Sequence, residues 1–137
     1  MEKALSRLKE ITRKAYLLDH SISILGWDQE TYLPENGVDE RGEQLALLQG
    51  IQHRTMTDPE IGELLSSLGV DGKNPMGSSS LPDTDRRFLR HLYRLYSRAV
   101  KLPEKLVTEI ARVTSKSQAV WAEARKKNQF ELFSPYL

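Results

Sequence analysis

The sequence predicts an all-α protein, a bundle of about five helices of which the first and the last are long. Apolar residues recur at steps of three or four along most of the chain, and no segment alternates as a strand would. Prolines and glycines lie at the ends of these periodic segments, where helices start and stop. With 137 residues, 39% of them hydrophobic and 28% charged, the chain is expected to form a single helical domain, 1–137.

The first predicted helix runs from about residue 3 to 31 and has one apolar face. That face contains Leu5, Leu8, Ile11, Ala15, Leu18, Ile22 and Leu25. The helix ends before Pro34, because proline disfavours helical geometry at Leu33, and Asn36 with Gly37 supplies a turn.

The second predicted helix covers about 38–55, with its apolar face carried by Val38, Leu45, Leu48 and Ile51. Arg41 lies on the same face as the one charged member. Two interpretations are open: the guanidinium extends to the rim of the core, or it pairs with a carboxylate such as Asp28.

The third predicted helix, about 58–68, begins with a capping box in which Thr57 is the N-cap and Glu60 lies three residues on. Ile61, Leu64, Leu65 and Leu68 form its apolar face, and Gly69 is suited to end it. Residues 69–82 are rich in glycine, proline and serine and are expected to form a flexible loop.

The fourth predicted helix, about 83–101, has an apolar face of Phe88, Leu92, Leu95, Tyr96 and Ala99. Its opposite face is basic and consists of Arg87, Arg90, Arg94, Arg98 and Lys101. This face is either solvated or able to contact phosphates, and no nucleic-acid motif accompanies it.

The fifth predicted helix, about 103–128, is expected to bury Leu106, Ile110, Val113, Ser117, Val120, Trp121 and Ala124. The segment from Phe130 to Leu137 is unusually apolar for a terminus. It is expected to fold back on the bundle, to pack on a partner, or to lead into further chain.

The composition excludes several classes of protein. The net charge of +1 gives no overall field for nucleic acid, and the absence of cysteine excludes disulfides and thiolate chemistry. No stretch has the roughly 20 apolar residues that span a bilayer, and the N-terminus has no signal-peptide core. A cytoplasmic location without membrane contact is therefore expected.

No self-contained active site is evident. None of His20, His53 and His91 belongs to a His-Glu-x-x-His motif, which places two imidazoles on one metal beside a general base. There is no Gly-x-Ser-x-Gly nucleophile turn. The sequence therefore predicts no catalytic, cofactor-binding or metal-binding residue.

Several segments in order resemble the thermostable zinc carboxypeptidases of the Taq type, peptidase family M32. They include Leu25-Gly-Trp-Asp-Gln-Glu-Thr-Tyr-Leu-Pro34, Arg41-Gly-Glu-Gln-Leu-Ala46 and Val120-Trp-Ala-Glu-Ala-Arg125. The positions that match the family motifs, taken as structural, are Trp27, Asp28, Pro34, Arg41, Trp121 and Arg125. Residues 69–101 contribute little to the resemblance.

The resemblance implies a mostly helical metallocarboxypeptidase, typically a homodimer, that releases C-terminal residues from peptides with zinc or cobalt. Family members are several-fold longer, and their metal ligands lie beyond the part that this chain resembles. The chain is therefore expected to form the N-terminal helical region, a wall or cap beside the substrate groove, without the catalytic body. It should be inactive alone and should meet peptide substrate only in the full-length context.

An alternative is a free-standing helical dimerisation or interaction module derived from that family. In either case the expected contact, with a second copy or with the catalytic body, is made through Phe130 to Leu137. Binding of nucleic acid through the basic helix is the least favoured interpretation.

The motif segment carries one further prediction. Trp27 is expected to be largely buried between the first helix and its neighbours. Asp28 is expected to accept a hydrogen bond or ion pair, with Arg41 as the donor.

Overall fold

The computed structural model describes all residues from Met1 to Leu137 and contains helices but no strand. The five helices are α1 (Glu2–Thr31), α2 (Val38–Met56), α3 (Pro59–Ser67), α4 (Asp83–Ala99) and α5 (Glu104–Lys127). Short 3₁₀ turns lie at Glu35–Gly37, Phe130–Leu132 and Ser134–Tyr136. The helix ends lie within two residues of the predicted ones, because prolines, glycines and caps act locally.

The chain divides into two compact units, where the sequence predicts a single domain. Unit 1 consists of Met1–Leu17 and Gln52–Pro103, and unit 2 consists of Leu18–Ile51 and Glu104–Leu137. Each unit therefore combines one part of α1 and α2 with later helices: α3 and α4 in unit 1, and α5 in unit 2.

Unit 1 has a closed apolar core. Its members are Leu5, Leu8, Ile11, Ile61, Leu65, Leu68, Val70, Leu89 and Leu92. Leu89 is fully buried, although the predicted apolar face of α4 omits it, and Phe88, Leu95 and Tyr96 are only half-buried. The side of α4 that packs in the core is therefore centred on Leu89 and Leu92, and it is rotated by about one residue from the predicted apolar face.

The start of α3 also differs from the predicted capping box. The Asp58 side chain, and not that of Thr57, accepts the Glu60 backbone N–H at 2.9 Å. Thr57 instead donates its hydroxyl to the His53 carbonyl. Gly69 ends the helix with φ of +74°, the left-handed conformation that favours glycine after a helix.

The segment 69–82 has a defined set of internal hydrogen bonds. The Asp71 carboxylate accepts the backbone N–H groups of Lys73 and Asn74, both at 2.7 Å. The Asn74 side-chain amide donates to the carbonyls of Gly69 and Gly77, both at 3.0 Å. Val70 is buried in the core and the Ser78 N–H donates to the Leu68 carbonyl at 3.1 Å, so the first half of the segment is held against the end of α3.

Unit 2 is packed differently. Its buried residues are Arg41, Gly42, Leu45, Ala46, Gly50, Ala111, Ser115 and Ala124, most of them small or polar. All six large side chains that are fully buried in the protein belong to unit 1. The predicted burial of the apolar face of α5 is wrong for Leu106, Ile110, Val113 and Trp121, which are 43–51% exposed.

The structure contains no helix that combines the length and the hydropathy needed to cross a membrane.

Candidate functional site

Arg41 joins the end of α1 to the start of α2 in unit 2. Its Nη2 donates to Asp28 Oδ2 at 2.7 Å, its Nη1 to the Leu25 carbonyl at 2.5 Å and its Nε to Gln44 Oε1 at 3.0 Å. The Arg41 side chain is 10% exposed and that of Asp28 is 35% exposed. The predicted pair of Asp28 and Arg41 is therefore confirmed, and the guanidinium is paired within the unit instead of extending to the rim.

A second polar network connects the end of α1 with α5 inside unit 2. The Gln29 amide donates to the Ser115 carbonyl, and the Ser115 hydroxyl donates back to Gln29 Oε1, both at 2.9 Å. Gln118 donates to Glu30 Oε1 at 2.5 Å on the same side of α5. These residues are not among those predicted from the sequence. The signal that could have found them is the small and polar series Ala111, Ser115, Gln118 and Ala122 at helical spacing.

Trp27 is 59% exposed, so the prediction that it is largely buried is wrong. Leu25 and Gln29 occupy the side of α1 that packs in unit 2. Trp27 is two positions from each of them, and because each residue of a helix turns the side chain by about 100°, it points to the opposite side. Trp27 instead packs edge to face on Tyr32, with ring centroids 5.6 Å apart. Tyr32 is 74% exposed, and Pro34 is also exposed after the end of the helix.

A cleft of about 670 Å³ lies beside this segment in unit 2. It is lined by Gln29, Leu33, Glu35, Asn36, Val38, Asp39, Lys116, Ala119, Val120, Ala122, Glu123, Lys126 and Lys127. A hydrogen bond from Lys127 lowers the pKa of Glu123, and the same bond raises the pKa of Lys127. The cleft thus offers charges of both signs, and it holds no serine, cysteine or histidine that could act as an activated nucleophile.

The remaining motif positions lie on α5. The Arg125 guanidinium carbon is 5.9 Å from the centroid of the Trp121 ring, a cation–π distance. Beyond the helix, the Phe130 and Phe133 rings pack edge to face at 6.3 Å. Phe130 is 62% exposed and Leu137 is 86% exposed, so the terminal segment folds into turns that leave much of its apolar surface uncovered.

The basic face of α4 lies in unit 1. Arg87 pairs with Asp83 at 2.7 Å, whereas Arg90, Arg94 and Arg98 are exposed. An open cleft of about 540 Å³ borders this face. Its lining residues are Gly72, Pro75, Arg87, Arg90, His91, Tyr93, Arg94 and Ser97.

No three histidine, cysteine, aspartate or glutamate side chains come together as a metal site would require. In unit 2 the structure pairs Asp28 with Arg41, Gln29 with Ser115, and Trp27 with Tyr32. They form a structural joint with an exposed aromatic pair.

Comparison with known proteins places these observations in a family. A family model described as carboxypeptidase Taq (M32) metallopeptidase matches residues 7–137. Over 136 residues the chain is 35% identical to thermostable carboxypeptidase 1 of Thermus thermophilus. The match covers 99% of this chain and 26% of that protein.

Two solved structures are similar as well. Metallocarboxypeptidase 1 of Trypanosoma cruzi is 31% identical with a TM-score of 0.68, over 99% of this chain and 26% of that one. The crystal structure of BsuCP, 23% identical, has a TM-score of 0.86 over 98% of this chain and 26% of that one, a likeness of fold alone. The chain spans about a quarter of the length of the relatives that it matches.

Proposed function

This chain belongs to the carboxypeptidase Taq (M32) metallopeptidase family, and we propose that it forms the N-terminal helical region of a metallocarboxypeptidase that releases C-terminal residues from peptides. In this proposal the helices form a wall or cap beside the substrate groove. The proposal is supported by the family match over nearly the whole chain and by the small share of each relative that the chain covers.

The observation that carries the proposal is the match of the family model over residues 7–137. The family is one of metallopeptidases, and a metal ion in such an enzyme would polarise the scissile carbonyl and activate water. No three histidine, cysteine, aspartate or glutamate side chains of this chain come together, so the residues present do not fit a zinc or cobalt ion. We therefore assign hydrolysis to the part of the fold that this chain does not represent.

Peptidase assays test this directly. The purified 137-residue chain, supplied with zinc or cobalt, is incubated with peptides and the release of C-terminal residues is measured. No release above the metal-only blank is expected. Sustained turnover that a chelator abolishes would contradict the proposal, and the Thermus thermophilus relative serves as the positive control.

A second candidate is a helical module that dimerises or binds another protein, because unit 2 and the segment from Phe130 to Leu137 expose large apolar side chains. Sedimentation equilibrium distinguishes the two functions. If the isolated 137-residue chain forms a dimer as its concentration rises, the result supports the interaction module. If it stays monomeric up to high concentration, the result favours the first proposal.

The proposed surroundings are cytoplasmic, without membrane or nucleic acid. The absence of cysteine fits a reducing compartment, and the net charge of +1 gives no general attraction to polyanions.

A further inference from the structure

The two sides of α5 differ in a way that unit 2 does not explain by itself. Ala111 and Ser115 are buried on one side, where a Cβ built on Gly42 would lie 3.7 Å from Ser115 Oγ, an ordinary contact. Leu106, Ile110, Val113 and Trp121, named here the outer face of α5, lie on the opposite side. The small and polar side of the helix is packed, and the side with the large apolar residues faces outward.

The outer face is continuous. From position 106 to 121 it extends about 23 Å along the helix axis, at 1.5 Å per residue. Ser117 and Val120, both half-buried, occupy the intervening positions, so no charged residue interrupts it. Sustained apolar periodicity of this kind is typical of a helix face that is buried in the complete fold.

Unit 2 has no element left to cover this face. The terminal turns follow the end of α5, where the Gln129 N–H donates to the Ala124 carbonyl at 2.9 Å, and they leave Leu106, Ile110, Val113 and Trp121 exposed. Of the sixteen large hydrophobic residues that the protein exposes, eleven lie in unit 2. Unit 1, in contrast, encloses its own leucine core.

We propose that the outer face of α5 is the surface on which the remainder of the M32 fold packs. This inference rests on the proposed function and names the contact surface within it. The occupant follows from length: the Thermus thermophilus relative matches 99% of this chain with 26% of its own, so about three quarters of that relative is available to cover the face. The contact extends well beyond Phe130 to Leu137, because it includes four turns of α5.

The test compares one substitution in two contexts. Ile110→Asp is made in the 137-residue chain and in a chimera in which this chain replaces the matching quarter of the Thermus thermophilus relative. In the isolated chain Ile110 is 51% exposed, so Tm should change by less than about 2 °C. In the chimera the carboxylate is buried without a partner, and Tm should fall by at least about 5 °C.

Lys105→Ala is the matched control, because it changes the charge of the same helix by one unit at an exposed position outside the outer face. It should leave Tm unchanged in both contexts. The separate variant Ile110→Leu should keep the Tm of the chimera close to that of the unsubstituted chimera, since a similar apolar volume fills the contact.

Three results would overturn the inference: an equal loss of Tm in both contexts, no loss in the chimera, or an isolated dimer that Ile110→Asp dissociates, which would make a second copy the occupant. Peptidase activity of the chimera is read separately. If the chimera is inactive but its Tm falls on Ile110→Asp, the result contradicts the proposed function and supports this contact. If the chimera is active but its Tm does not fall on Ile110→Asp, the result supports the proposed function and contradicts this contact.

Discussion

Arg41 shows why a charged residue on an apolar helix face can be predicted to have a partner. Its side chain is nearly buried, and a buried guanidinium is stable only when its donors are matched, here by Asp28, Leu25 and Gln44. Trp27 shows the opposite case. A large amphipathic ring tolerates exposure, so its residue type does not determine its burial.

Arg41→Lys should therefore be destabilising, although the charge is kept. A lysine ammonium cannot reproduce the planar fork that meets three acceptors, and a loss of about 1–2 kcal/mol in the free energy of unfolding is expected. Denaturant titration measures it, with the exposed Arg13→Lys as the control. Equal stability of both variants would show that the guanidinium geometry is not required.

Glu60 gives a pH dependence. Arg7 donates to both Glu60 oxygens, at 2.8 and 2.9 Å, and this hydrogen bonding lowers the pKa of Glu60. The folded pKa is then below the unfolded value of about 4.3, so the pair stabilises the fold above that pH. The contribution is lost as the pH falls through the lowered pKa.

Glu60→Gln should thus lower the thermal midpoint at pH 7, and the difference from the wild type should shrink below about pH 4. Glu63→Gln, at an exposed position of the same helix, is the control and should have no such pH-dependent effect. A Glu60→Gln difference that persists unchanged at pH 3 would show that packing, and not charge, is responsible.

At the scale of elements, α4 carries like charges that the structure only partly compensates. Arg90, Arg94 and Arg98 are four residues apart on the exposed face, where like charges repel. Arg94→Glu replaces two repulsive contacts with attractive ones and should raise the free energy of unfolding by about 0.8–2 kcal/mol.

Lys14→Glu is a matched comparison on α1, because it places a second carboxylate four residues from Glu10 and should lower stability slightly. Denaturant titration at low salt measures both variants. A loss of stability on Arg94→Glu would mean that the arginines interact with an acidic group of the protein, and not only with solvent.

At the scale of the whole molecule, the two units should differ in local stability. Unit 1 contains all the fully buried leucines and isoleucine, whereas unit 2 relies on small residues and two polar networks. In native-state hydrogen exchange of the isolated chain, amides near Leu8, Leu65 and Leu92 should exchange about ten- to hundredfold more slowly than those near Leu45 and Ala111. Uniform protection across both units would contradict this expectation.

The sequence by itself determined the helical class, the ends of the five helices, the ion pair of Asp28 with Arg41 and the family resemblance. These depend on local signals: periodicity, prolines, glycines and a charge on an apolar face. Only the tertiary structure decided which side of α5 packs, that Leu89 is in the core and that Trp27 is exposed. Periodicity shows that a face is apolar but does not show which part of the fold covers it, because burial depends on neighbours that are distant in sequence.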